Sequence, residues 1–403
     1  MYLKSYAGLT NLRFDSDFKA FENIMLFYLN ATRRLKAAGK KVVAKTPLSP
    51  VEVIYAGAAL AYDMATHENL QSMLNERTNL QHQAVEAGMS PELSPWNLVM
   101  LGAALNGHNA LSVDMYSSAC GGFDDQLTKA FQVMAQAGGL PLRFWEVPGY
   151  DPQSQTWALA YLEKELVQLF EWMKLYTGHK TTEANLHTAI HLGNLLRSDM
   201  IELNTYLALP KPPIAGLEYY LIQMSLGDYA QDPEGLHRLF LELLHELRLR
   251  TEQGQSIPGV SASPVRVYLM GDETQELSLF NAIENYGGLL VGCDFRLPLY
   301  YDLIDEKAKP LSALARWIWH MPNNLPTLLR VNTELDSIRK QKPDAVIISS
   351  VVGSRRLPGA ERLVRDSIRQ ELGLPVLSIE TSLPHENAEK VDYQIRAFLE
   401  TIR

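Results

Sequence analysis

Cysteine is nearly absent, with two residues in a chain of 403. Two thiols cannot make a disulfide framework, and neither belongs to a CxxC, so a zinc site or a thioredoxin-like pair has no support. A reducing, cytoplasmic location is the default expectation. Basic runs are also missing, and the formal net charge is −9. Sequence-independent binding of nucleic acid needs clustered Lys and Arg, so no nucleic-acid partner is expected. No uninterrupted apolar stretch approaches the roughly 18 residues of a membrane span. The opening MYLKSYAGLTNLRF lacks the apolar core of a signal peptide, so no membrane partner is expected either. GxxxxGK[ST], GxGxxG and GxSxG do not occur, which leaves common nucleotide, dinucleotide and α/β-hydrolase sites without support.

What is present is an ordinary globular composition, 46% hydrophobic and 21% charged, in a chain long enough for two or three domains. The clearest unit is VRVYLMGDETQELSLFNAIENYGGLLVGCDFR, Val265 to Arg296. Two apolar runs flank a helical pattern, a strand–helix–strand unit of the length a parallel crossover needs. Ala345–Ile348 and Pro375–Ile379 give further strands, with helices over 361–372 and 386–402. Earlier, residues 15–39 read as one amphipathic helix ending in Arg33, Arg34, Lys36 and Gly39. Lys41–Ala44, Ala110–Asp114 and Leu142–Val147 read as strands, and Val51 onward as a helix capped by Ser49 and started by Pro50. Residues 153–207 and 217–252 are helical without a strand pattern. The expectation is an α/β fold: two Rossmann-like domains whose parallel sheets face across a cleft, plus helical N-terminal and middle segments. The boundaries are 1–40 for the N-terminal helical segment, 41–150 for the first domain, 151–260 for a helical connector and 261–403 for the second domain.

Ligands bind beyond the carboxyl ends of parallel strands, which directs attention to residues at such ends. Cys120 lies in a Ser/Gly loop, Ser117 to Phe123, at an expected strand-to-helix junction, where a helix start favours thiolate; a small thiol packed under a turn is the alternative. Cys293 is similar, but its neighbour Asp294 opposes thiolate formation. Arg355 and Arg356 sit in a Gly-containing loop after a strand and suit phosphate, although a solvated loop explains them as well. Arg296 belongs to the same ridge of strand ends. His187 and His191 are four apart on a helix, but without the glutamate of HExxH, and an exposed helix face explains them. Trp317–Ile318–Trp319 fits a subunit surface or a core equally.

Taken in order, GKKVV (39–43), SPVEVIYAGAAL (49–60), SSACGG (117–122), VYLMGDE (267–273), ENYGGLLVGCDF (284–295), DAVIISS (344–350) and LPVLSIET (374–381) resemble the 2-hydroxyacyl-CoA dehydratase and benzoyl-CoA reductase family over almost the whole chain. The resemblance implies a heteromeric enzyme acting on an acyl-CoA or aroyl-CoA thioester. Each of its related subunits typically holds a [4Fe-4S] cluster through three cysteines, fed by an ATP-driven electron donor. In this chain Cys120 fits the first cysteine position. Arg296 stands at the second, with Cys293 three residues early, and Ser354 stands at the third. Two thiols cannot supply three thiolates: either a cluster here uses Cys120, Cys293 and an oxygen or nitrogen ligand, or, the favoured expectation, the chain has lost its cluster and pairs with a related, cluster-bearing subunit. Glu52 and Ser49 are then the candidate catalytic residues, because a carboxylate at a helix start in a dry cleft can be tuned for proton transfer; an ordinary first-turn glutamate is the alternative. A scaffold or regulatory subunit, and a stand-alone binder of phosphorylated small molecules using Arg296, Arg355 and Arg356, are the competing readings.

Overall fold

The computed structural model describes every residue except 1, 11, 16, 32–38, 47–48, 76, 78, 108–111, 121–124, 258–259, 355–356, 358 and 385. Two all-parallel, four-stranded sheets carry the fold. The first contains β1 (Val42–Lys45), β2 (Leu60–Tyr62), β3 (Met115–Cys120) and β4 (Leu142–Glu146), in the order β2-β1-β3-β4. The second contains β5 (Val265–Gly271), β6 (Gly288–Cys293), β7 (Ala345–Val351) and β8 (Val376–Thr381), in the order β6-β5-β7-β8. The chain is therefore α/β, with two Rossmann-like lobes of the same strand order. In each, the path leaves the first strand to one side and then returns past it to the other. The crevice of an open parallel sheet opens where that reversal occurs, between β1 and β3 and between β5 and β7.

Helices cover both faces of such sheets, so the central strands read as continuous apolar runs. Every residue of β1, VVAK, and of β7, AVIISSV, is buried. Two expectations for the first lobe are corrected. The strand placed at Ala110–Asp114 begins instead at Met115, and positions 108–111 lie outside the described residues. The supposed loop residues Ser117 to Cys120 are its carboxyl half, paired with Lys45 on one side and Arg143 to Glu146 on the other. Serine favours turns by itself, but a backbone sandwiched between two strands takes the ladder instead. The second correction is β2, three residues that continue from what reads as the end of a helix.

The helical middle segment contains Gln155–Thr177, Glu183–Leu207, Gly216–Met224 and Pro233–Glu252. Thr182 caps the second by accepting from the Asn185 amide at 3.2 Å, and Asp232 caps the fourth, with Pro233 in its first turn. The N-terminal helix is shorter than the expected 15–39: Lys19–Leu29 is helical, and 32–38 lie outside the described residues. It packs on Pro233–Glu252. Gln155–Thr177 lies along β4 and also meets Pro310–Trp319 of the second lobe. One apolar cluster runs from Phe21 through Leu162, Leu196 and Tyr220 to Leu269 and Ile347, so both lobes and the middle helices share a core. Trp317 and Trp319 are buried in it.

Glu284 ties this core to the middle segment. One carboxylate oxygen accepts the Gly216 amide at 3.2 Å, while the other is buried and has no hydrogen-bond partner among the described residues. Burial pushes its pKa up to about 7, from 4.5. Folding therefore takes up a proton at this site between those values, and stability present below pH 4.5 is lost as pH rises toward 7. Glu284→Gln cannot titrate and keeps the accepting oxygen. Chemical denaturation at several pH values should show the variant gaining on wild type from pH 4.5 to 8, by on the order of 1–3 kcal/mol. A pH-independent difference would show that Glu284 is solvated.

Candidate functional site

The carboxyl ends of the two sheets face each other, and their loops touch. Trp96 Nε1 donates to the Glu273 carbonyl at 2.8 Å, Gln126 Nε2 donates to the Gly353 carbonyl at 3.1 Å, and Gln275 bonds Asn69. The strand-end crevices thus meet along one interlobe seam.

Charged side chains fill that seam. Lys45, the last residue of β1, is fully buried. Its ammonium donates a long hydrogen bond, 3.5 Å, to the Thr46 carbonyl. Asp63, directly after β2, is also fully buried. Burial alone would raise its pKa, but Lys45 and Arg296 outweigh that and hold it below the usual carboxylate range. Arg296, just past β6, is 4% exposed and bridges the lobes. Its guanidinium reaches Asp63 at 3.4 Å and Thr66 at 2.6 Å in the first lobe, and Glu273 at 2.7 Å in the second. From the middle segment, Asp228 accepts the Asp63 amide at 2.9 Å. Burial, with the Asp63 charge second, lifts Asp228 to about 7. Gly227 is needed at its position because a Cβ there would stand 2.3 Å from an Asp63 oxygen. His67 is wedged edge-on between Tyr28 and Tyr62, with ring centroids 4.7 and 5.5 Å away. Among the described residues neither of its ring nitrogens has a hydrogen-bond partner, and burial drops its pKa to about 4, so the ring is neutral near pH 7.

A second cluster lies beside the first helix of lobe one, Val51–Ala56. Glu52 is 1% exposed and bound to Arg197 at 2.5 Å and to the Tyr229 hydroxyl at 2.9 Å. Arg197 stacks over Trp317, 4.4 Å from the ring centre. Gly193 makes room, since a Cβ would fall 2.7 Å from both Glu52 Oε1 and Arg197 Nη1. Ser49 is buried, donates to the Ser117 carbonyl at 3.2 Å and contacts the Thr46 hydroxyl at 3.2 Å. Ser49, Glu52, Arg197, Tyr229 and Trp317 line a cavity of about 20 Å³, enough for one water. Geometry thus brings Ser49 and Glu52 together, but with the carboxylate already paired.

A sequence model of the family described as 2-hydroxyglutaryl-CoA dehydratase, D-component, matches residues 48–402. The chain belongs to that family. No individual curated protein sequence matches the chain. The iron–sulfur cluster implied by the resemblance can be tested against this family member's own donors. Cys120 is half-buried, its sulfur 3.9 Å from the Ser118 carbonyl, and burial raises its pKa, with Glu146 and Glu165 adding to the rise. Cys293 is buried in the apolar core, its pKa pushed well up, first by burial. Neither thiol is in a setting that favours thiolate. Arg296 offers a cation already held by two carboxylates, and among the described residues no group of three or more His, Cys, Asp or Glu could hold a metal ion. The donors present do not fit a [4Fe-4S] cluster.

Arg355 and Arg356 lie outside the described residues. His187 and His191 are on an exposed face, with His191 paired to Glu306 at 3.0 Å. Sequence reasoning missed Lys45, Asp63, Glu273, Asp228, Arg197 and Tyr229. Arg197 did leave a signal: it interrupts an inward stripe, Ile190, Leu196, Met200 and Leu203, all buried.

Breaking the Glu52 pair leaves a buried guanidinium uncompensated. Glu52→Gln should destabilise the fold by about 3–5 kcal/mol in chemical denaturation. Adding Arg197→Met should restore much of the loss, since no charge is then stranded. Equal losses in the single and double variants would contradict the pairing.

Proposed function

We propose that this chain is a cluster-free subunit of a 2-hydroxyacyl-CoA dehydratase-type complex. It pairs with a related subunit that carries the [4Fe-4S] cluster, and the complex acts on an acyl-CoA or aroyl-CoA thioester. Membership of the dehydratase D-component family supports the enzyme class and the substrate class. The observation that carries the cluster-free reading is Arg296. At the strand end where the resemblance expects a thiolate, a guanidinium is instead neutralised by Asp63 and Glu273. Electron transfer into the substrate then belongs to the partner, and this chain supplies the second wall of the assembly.

A second reading has a specific observation behind it. Ser49 and Glu52 line one small cavity at the start of the Val51–Ala56 helix, with Tyr229 hydroxyl and Arg197 converging on it. There the Glu52 carboxylate, held by Arg197 and by the Tyr229 hydroxyl, is the candidate proton acceptor. In this reading the chain contributes acid–base groups to the partner's reaction. Tyr229→Phe and Ser49→Ala, assayed in the assembled complex, separate the two: unchanged turnover leaves the chain as a structural wall, and a drop of tenfold or more assigns it a chemical part.

Iron and acid-labile sulfide, measured on protein purified without oxygen, test the main reading. The chain alone should contain no stoichiometric iron, while the complex co-purified with a three-cysteine relative should contain it. About four irons per chain in the isolated protein would refute the cluster-free assignment.

A further inference from the structure

The Gln155–Thr177 helix divides its side chains among three directions. Ala158, Leu162, Leu166, Leu169 and Met173 are buried in the shared core. Tyr161, Glu165 and Gln168 turn to the outer edge of β4. There the Tyr161 hydroxyl donates to Glu146 at 2.8 Å, Glu165 accepts the Glu146 amide at 3.2 Å and Gln168 accepts Arg143 Nη2 at 2.7 Å. These bonds cover the edge of the sheet and fix the helix in place. The third direction is left to solvent. Trp157, Ala160, Lys164, Val167, Glu171 and Leu175 are all exposed, at the spacing of one helix face. Trp157 is 62% exposed and Leu175 77%. Among the described residues, no other helix exposes as many large apolar side chains.

Apolar side chains scattered singly over a surface need no explanation, but this stripe is ordered. An apolar group stands at each end: Trp157, stacked on Tyr161 with ring centroids 5.6 Å apart, and Leu175, about 27 Å further along the axis. Between them come Lys164, then Val167, then Glu171. Read in the opposite direction, the stripe keeps its apolar ends and centre and exchanges its charges. A face of that kind complements itself under a two-fold rotation, which is the condition an isologous interface must meet. We propose that this outer face is a dimer interface, and that its occupant is the same helix of a second copy of this chain, lying antiparallel. The proposal concerns the chain alone and does not rest on the cluster-free reading.

A two-fold axis between Lys164 and Val167 sets the pairing. Trp157 lies over the partner's Leu175, and by symmetry Leu175 lies over the partner's Trp157. Lys164 crosses the partner's Val167, with its ammonium one turn from the partner's Glu171, so two pairs of opposite charge form together. Ala160 is small enough to let the two axes approach. A parallel pairing would instead set Lys164 against the partner's Lys164 and Glu171 against the partner's Glu171, and like charges so placed are unfavourable. Glu171 has a competitor in Lys174 of its own helix, at 3.8 Å, but an exposed pair of that kind is weak and yields. A two-fold contact closes on itself, so assembly stops at two chains. Contact along one helix lies at or below the low end of specific interfaces, roughly 1,200 Å² in total. The dimer therefore depends on concentration, with a Kd on the order of 1–100 µM.

Sedimentation velocity of the full chain without any partner, from about 1 to 500 µM so as to bracket that constant, tests this. The mass should rise from one chain to two and no further. Trp157→Glu combined with Leu175→Glu should stay monomeric throughout and melt as wild type does, because both side chains are exposed. Lys164→Glu alone, or Glu171→Lys alone, should weaken the dimer at least tenfold, since two pairs are lost and two repulsions gained. Combining the two reversals should restore it. Tyr393→Glu, at a 71% exposed position on another helix, should change nothing. A wild type that stays monomeric, a dimer that survives Trp157→Glu with Leu175→Glu, or a combined charge reversal no better than the single ones would each overturn the proposal. So would a chain that is monomeric alone and protects this face only beside a related subunit, which would assign the face to that subunit.

Discussion

Asp63 is where the three parts of the molecule are tied. Its amide is held by Asp228 of the middle segment, its carboxylate meets Arg296 of the second lobe, and Lys45 of the adjacent strand lies within its field. None of these groups reaches solvent to any useful extent. Inside a protein a charge is tolerated only where others offset it, and removing one partner strands the rest. The close approach of Gly227, the packing of His67 and the placement of Thr66 follow from keeping that carboxylate where it is.

The fold explains why such a knot forms here. Both sheets have their strand order reversed at the same step, so both present a crevice at the carboxyl ends of neighbouring strands. Facing lobes turn two crevices into one seam. Side chains at strand ends, Lys45, Asp63 and Arg296, are delivered into it from opposite sides, and the turn from the middle helices closes a third side. The 2-hydroxyglutaryl-CoA dehydratase D-component family, to which the chain belongs, spans nearly all of this frame. Both lobes and the middle helices thus fall within the span of one family.

Much of the frame could be read from sequence because parallel strands buried on both faces are continuous apolar runs, as in β5, β6 and β7. The exceptions have physical causes. β2 is too short to show periodicity, and without it Asp63 does not stand out as a strand-end residue. β3 is rich in serine, whose turn preference yields to pairing on both sides. At the site, Glu52, Ser49 and Arg296 were legible as residues at strand and helix ends, but their partners were not. Arg197 and Tyr229, the partners of Glu52, and Asp63, a partner of Arg296, are each more than a hundred residues away in sequence, and only folding brings them near. The left-handed run Tyr229–Gln231 has no glycine to announce it.

A buried ion network is poor evidence of a need for stability, since packed apolar side chains of similar volume often serve as well or better. What charged groups add is a closed state whose energy depends on every partner being present and in the right protonation state. The seam carries signs of that kind of construction. It holds a turn in a disfavoured backbone region, a buried carboxyl whose pKa is raised to about 7 and a histidine whose ring nitrogens have no hydrogen-bond partner among the described residues. A purely static joint would gain by relieving each of these. Their concentration around Asp63 makes the seam a joint whose energy rests on the whole set of partners rather than on any single contact.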